Sequence, residues 1–327
     1  MPAPFVFDIP GGLLRTKELL DCTRRLKETG KPVEVHAFDS VQGLQWNGGR
    51  LTFNNQFMKD PSRSRYSDVT VDNIQEAVER VQQINDAGIP FNLTFNSTME
   101  SLDVDDEAGN YLLEKLHNGM NGVTVATESL RRHIRANYPK YSLTASICFV
   151  HTRADEYLAA NQRFEKVVAM PILAYEEETL NLLPKDQLVF ILNDRCYLFC
   201  VRKDHYDYIS RCSLSGNSSP EQQRRNLQGT KCFAAEVPGY RNRVKEPTDQ
   251  KRNARVSKIV ERHMANASEA QSAGFGMGFN ITATARRRLF ELGIRRFKLQ
   301  GREFDDQGYQ TMVLDFLERI VREELPS

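Results

Sequence analysis

Four cysteines, Cys196, Cys200, Cys212 and Cys232, read C-x3-C-x11-C-x19-C and begin directly after the apolar run "QLVFIL". Two cysteines four apart on one turn bring two thiolates to a single metal, and a following loop returns two more. Four thiolates suit either a zinc ion or an iron-sulfur cluster. Zinc is usually held by paired C-x2-C knuckles, which this chain lacks, whereas iron-sulfur ligands often have irregular spacing. The spacing therefore favours iron and sulfide, with zinc as the alternative. A competing reading makes Cys196 and Cys200 small buried apolar residues. Cys22 in "KELLDCTRRL" and Cys148 in "SICF" fit that second reading well.

Polar residues at the ends of apolar runs are the other candidates for chemistry. They are Asn96 after "NLTF", Ser146, Asn193 and Asp194 before the cysteines, His205 and Tyr206 after them, Asn280, Lys298 and Arg302. A lysine and an arginine at the end of one strand can clamp a carboxylate or phosphate, because a guanidinium offers paired donors. The alternative for Arg302 is an ion pair with a local acid such as Glu303. His205 is either a donor to a cluster sulfur or a solvated residue of the charged run "RKDHYDY". Asn193 and Asn280 suit caps and turns as well as substrate contact.

These residues need a frame, and short β-rich runs alternate with helical patterns along the chain. The predicted strands are 5–7, 33–38, 91–96, 122–126, 142–149, 166–170, 187–192 and 296–300. Between the second and third, Val71, Ile74, Ala77, Val78, Val81 and Ile84 share one helical face, and Gly88 stops it. Repeated strand, helix, glycine, strand units imply parallel pairing with right-handed crossovers. About eight such units fit an α/β fold of the TIM-like (β/α) barrel kind, with an open doubly wound sheet as the alternative. The alternation breaks once, giving three expected regions. Residues 1–193 carry the first seven strands, 194–273 a cysteine-rich and helical insertion after the seventh strand, and 274–327 barrel closure and a C-terminal helix. An insertion leaving the C-terminal end of a barrel strand sits on the face where barrel active sites are built.

Composition narrows the function classes. The 327 residues are 40% hydrophobic, and Lys plus Arg (44) nearly cancels Asp plus Glu (43), so any polyanion site must be a local patch. The stretch from Arg241 to Arg262 is such a patch, either an RNA-tracking surface or a solvated helix face. The loop from Arg50 to Tyr66 after Trp46 reads as a hairpin covering the barrel or a substrate lid. "MPAPFVFDIPGG" is not a secretory leader and no apolar run approaches the ~18 residues of a membrane span, so a soluble cytoplasmic protein is expected. Clustered thiols in that compartment bind metal more often than they form disulfides. There is no G-x-G-x-x-G after an early strand, no P-loop, no G-x-S-x-G and no H-E-x-x-H.

The order "GIPFNLTFNST", "GVTVA", "SLTASICF", "VVAM", "LVFILNDRCYLFC" and "LFELGIRRFKLQGRE" resembles the collagenase-like peptidase superfamily. That superfamily includes iron-sulfur ubiquinone hydroxylases and RNA hydroxylases. The resemblance implies a barrel with a [4Fe-4S] cluster held by Cys196, Cys200, Cys212 and Cys232 at the strand C-termini, with Cys22 or Cys148 as substitutes for the fourth ligand. It also implies oxygen-independent hydroxylation, with prephenate as oxygen donor in hydroxylating relatives, and a small-molecule or RNA substrate. A partner protein of the same superfamily is implied too, because the ubiquinone hydroxylases work as a pair. Lys298, Gly301 and Arg302 match the family pattern, while Gln300 stands where an acid is usual, so that carboxylate's role does not transfer. The superfamily's name keeps a peptidase-like hydrolase open, and a non-catalytic iron-sulfur partner subunit is the third class.

Overall fold

The computed structural model describes residues 3–41, 43–47, 71–100, 105–194, 210, 279–302 and 304–326. Eight parallel strands close on one another in the order β1-β10-β7-β6-β5-β4-β3-β2. They are β1 (Phe5–Pro10), β2 (Val33–Asp39), β3 (Phe91–Phe95), β4 (Gly122–Val125), β5 (Ser142–Ala145), β6 (Lys166–Ala169), β7 (Leu188–Ile191) and β10 (Arg296–Lys298). These are the eight strands anticipated above, and pairing of β1 with β10 (Val6 opposite Arg296, Asp8 opposite Lys298) closes the sheet. The open-sheet alternative is thereby overturned. Between β7 and β10 a short antiparallel pair stands apart from the barrel, β8 (Asn193–Asp194) with β9 (Phe279–Asn280). Residues 195–209 and 211–278, which carry all four clustered cysteines, His205, Tyr206 and the Arg241–Arg262 stretch, lie outside the described residues, as do the loop 50–66 and Glu303.

Each strand's alternation has a physical reading. One set, including Phe5, Phe7, Phe91, Phe95, Phe190 and Phe297, packs outward against the helices as a single large core. The ring of Phe297 meets Phe290 at 5.1 Å between centroids and Phe7 at 5.6 Å, tying β10 to its helix and to β1. Burying each such side chain contributes about 1.5–3 kcal/mol. Helix Ile74–Asp86 buries Ala77, Val78, Val81 and Ile84, the face expected, and Gly88 takes φ +75° beyond it. Only a residue without a Cβ holds that left-handed turn cheaply. Trp46 is fully buried against Phe95, 5.2 Å between ring centroids, and so belongs to this core.

One strand ends earlier than its composition suggests. In "SLTASICF" β5 stops at Ala145, and Ile147–Phe149 forms a tight helical turn. The Ser146 hydroxyl accepts the Cys148 N–H at 3.2 Å, so a side chain takes the place of the ladder. Ion pairs are among the contacts that clip the C-terminal helical run, 306–324, to the shell. Arg286 Nε donates to Glu324 Oε2 at 2.8 Å with both side chains buried, and Arg25 Nε to Glu318 Oε1 at 2.6 Å.

Candidate functional site at the barrel mouth

The inward set is unusual for a barrel. Small barrels fill their interiors with layers of branched apolar side chains. Here the inward positions of β1, β2, β3 and β10 carry Asp8, His36, Asn92, Arg296 and Lys298, and β6 opens with Lys166. The opposite wall, from the β5 turn, β6 and β7, is a separate apolar cluster that includes Ile147, Cys148, Val168, Met170, Val189 and Ile191. One half of the inner surface is therefore charged and the other half is oily.

Lys298 is the last residue of β10 and keeps 8% of its surface open. Its Nζ stands 3.7 Å from the centroid of the Phe38 ring, and no carboxylate among the described residues comes within ion-pair distance. Burial lowers its pKa to about 8; Asp8 resists that shift, while Arg302 and Lys166 add to it. Arg302 shares the same ring, with Cζ 5.6 Å from its centroid. Its Nη1 donates to Ser40 Oγ at 2.9 Å and lies 3.8 Å from Asp39 Oδ1. The acid facing it thus comes from the end of β2. Asp39 is buried and also accepts the N–H groups of Ser40 (2.9 Å) and Leu13 (3.2 Å). Burial raises its pKa, and Arg302 and those N–H groups pull it back.

Below Lys298, Asp8 Oδ1 accepts from Asn92 Nδ2 at 3.3 Å and lies 3.6 Å from His36 Nδ1. Burial drives the His36 pKa down to about 4 against the pull of Asp8, so the imidazole is neutral at pH 7. The cations facing this floor, Lys166, Arg296 and Lys298, outnumber its one carboxylate.

The remaining anticipated residues divide by role. Asn96 Oδ1 accepts the Ser146 hydroxyl at 2.8 Å, joining the ends of β3 and β5 at the mouth. Asn193 gives both faces of its amide to the backbone. Its Nδ2 donates to Gln300 O (2.9 Å) and Met312 O (3.3 Å), and its Oδ1 accepts from Gln300 N (2.7 Å). Both ends of the amide are thus engaged with backbone, so Asn193 positions the end of β10. Cys22 is buried in helix Thr16–Lys27, with its thiol pushed up to about 12 by burial and by Glu318 of the C-terminal run. It serves the shell, which removes it as a substitute ligand at the mouth. Cys148 stands in the apolar wall. Among the described residues no three His, Cys, Asp or Glu side chains converge as a metal set. The four clustered cysteines lie outside those residues, yet the chain bearing them is located at three points. Asp194 and Phe279 pair beside β7, and the buried Ser210 Oγ bonds the N–H and hydroxyl of Thr98, each at 3.2 Å, just past β3. In the barrel order β7 and β3 are diametrically opposed.

Asp8, His36, Phe38, Asp39 and Ser40 were not singled out from the sequence. Their signal was present: Asp8 is the lone polar side chain in the apolar run "FVFDIP", and Glu34 and His36 alternate with apolar residues in "VEVHAFD". Such a pattern marks the inward face only once the sheet is known to close.

Fold and mouth together define an α/β barrel protein with a charged inner surface under its C-terminal end. No family model and no curated protein matches the chain. A solved structure described as the U32 peptidase Mk0906 is similar at 13% identity, covering 93% of this chain and 94% of that one, with a TM-score of 0.47. A likeness of that degree carries no argument about activity, and the barrel stands on its own strand pairing. Among the described residues no helix is long and apolar enough to cross a membrane.

Proposed function

We propose that this chain is a metal-dependent barrel enzyme of the oxygen-independent hydroxylase kind. In this reading Cys196, Cys200, Cys212 and Cys232 hold a [4Fe-4S] cluster, with zinc the alternative, near the mouth that Lys298 and Arg302 line. The observation that supports it is the anchoring of the cysteine-bearing segment on opposite sides of that mouth, at Asp194 and at Ser210. The donor set fits the group: four thiols suit iron-sulfur or zinc, and no rival set occurs among the described residues. When bound, such a cluster supplies electron transfer or, with one iron left open, a site for substrate.

The chain's own residues bind and orient. Arg302 is held by Ser40 and Asp39 with part of its guanidinium left for an anion, and Lys298 adds a second cation over the same ring. The apolar wall takes the substrate's carbon body. A small molecule meets these demands, as does one base drawn out of an RNA stack. A partner protein of the same superfamily belongs to this reading.

Iron, sulfide and zinc quantification on protein purified without oxygen tests the reading. About four iron and four sulfide per chain, lost in Cys196→Ala and Cys200→Ala, is the expected result. Retention of full metal in both variants overturns it.

A further inference from the structure

The structure assigns Lys298 a role beyond charge: we propose that its Nζ captures the carbonyl carbon of a small aldehyde or ketone as an imine, with Arg302 holding an anionic group of the same molecule. The inference rests on the mouth being the substrate site but is independent of the metal centre.

Geometry carries the argument. A buried ammonium ordinarily spends its three N–H groups on carboxylates or carbonyls, since leaving them unmade is costly. Lys298 spends none on a described side chain or backbone oxygen, and its described neighbour at close range is the face of Phe38 at 3.7 Å. Asp8, its register partner across β1 and β10, lies beyond ion-pair distance and is engaged by Asn92 and His36. The amine is at the open end of the inner surface, 8% exposed, where a ligand entering by the mouth meets it. Arg302 stands over the same ring and supplies a permanent positive charge. An anion site alone would need nothing from a lysine that a second arginine could not give.

The groups facing Lys298 make the amine available. They are Asp8 from β1, the neutral His36 from β2, Lys166 from β6, Cys148 from the turn after β5 and Arg302 from the loop after β10. Burial, the largest cause, and two cations act against Asp8 and the Cys148 thiol, and the amine is lowered to about 8. At pH 7 it therefore presents roughly two hundredfold more neutral amine than a surface lysine near 10.4.

The step balances without an oxidant or reductant. The Nζ lone pair adds to the carbonyl carbon, the C=O π pair moves to oxygen, and that oxygen takes up a proton as nitrogen gives one up. The nitrogen pair then forms C=N as the hydroxyl leaves with a proton as water. Amine and carbonyl give imine and one water. Among the described residues Asp8 is the carboxylate whose charge acts on this amine and it can relay the proton, and a protonated imine remains a cation over the Phe38 ring, so the cation–π contact persists.

Pyruvate with cyanoborohydride is the probe, applied to anaerobically purified wild-type protein and, separately, to the Cys196→Ala variant. Peptide mass spectrometry then locates the reduced adduct. Dominant labelling at Lys298, with a pH midpoint near 8, is the expected result. Lys298→Arg should lose that adduct while keeping the wild-type circular dichroism spectrum. Arg302→Ala should weaken labelling by pyruvate several-fold more than labelling by propanal, which has no carboxylate and feels only the loss of Arg302's effect on the amine; equal weakening of both would remove Arg302 as the anion holder. An adduct spread over exposed lysines with none at Lys298, or a midpoint like theirs, overturns the proposal. Labelling in the Cys196→Ala protein separates the two readings, because loss of metal leaves the amine in place.

Discussion

Asp8 and His36 show how a single buried pair sets a pH limit on the molecule. His36 is neutral in the folded barrel, with its pKa near 4, against an ordinary 6.5 when exposed. Between those values the unfolded chain binds a proton that the folded one refuses, so stability is full above about pH 6.5 and falls as pH drops toward 4. The shift corresponds to about 3 kcal/mol at the acid end. A His36→Asn variant should show a flatter dependence of its urea midpoint on pH across that window, and an unchanged slope would remove His36 as the cause. The neighbouring Gly122 is fixed by the same floor. A Cβ there would strike Asn92 Oδ1, the amide that donates to Asp8. Gly122→Ala should cost about 1–3 kcal/mol by overpacking, read as a lowered urea midpoint with the m-value unchanged. Lys298 and Arg302 stood out in the sequence as candidates because they lie at and just beyond the end of the last strand. Asp8 and His36 were not, since whether a strand residue faces in or out is decided by closure of the sheet, which no local pattern contains.

At the scale of elements, all eight barrel strands could be read from apolar runs, and the helix face from Ala77 to Ile84 from its spacing. What escaped was the end of β5, where the Ser146 hydroxyl captures a backbone N–H, and the use of Asn193 as a clip between β7 and β10. Both depend on where a side chain finds a partner far away or just beyond the strand, and composition is silent on that. The C-terminal run gives a sharper test. Glu324 neutralises the buried Arg286 guanidinium, with side chains only 7% and 6% exposed. Removing the acid alone leaves a buried charge unpaired, so Glu324→Ala should lose roughly 3–5 kcal/mol. Replacing Arg286 and Glu324 together by Met and Leu should recover most of it. Chemical denaturation of the single and double variants decides the matter, and an equal loss in both would mean packing, not charge, is at stake.

For the whole molecule, the β8–β9 pair is a hinge point in the chain's plan. Asp194 and Phe279 are direct partners, so the long segment between them leaves and returns at one spot. A two-residue Asn-Gly turn can bridge antiparallel partners. A protein in which 195–278 is replaced by Asn-Gly should therefore keep the barrel's circular dichroism and cooperative unfolding while losing metal. Loss of cooperative unfolding would show that the barrel needs the segment to fold. In the sequence the one interruption in strand-helix alternation is expected to begin at 194, the residue at which β8 ends. The segment's anchorage on the far side, through Ser210 and Thr98, was not legible there, because a serine's partner over a hundred residues away leaves no local trace.

The divided inner surface has an evolutionary consequence. In most barrels the interior and the shell share the work of holding the fold, so a change in either is tested by stability. Here the outward layer, with its interlocked phenylalanines, carries most of the cohesion, and half of the interior has been released from that duty. Under the proposed reading of the mouth, substitutions at Lys298 or Arg302 are consequently tested by ligand preference more than by survival of the fold. A lineage built on this frame is free to trade substrates while its scaffold stands still.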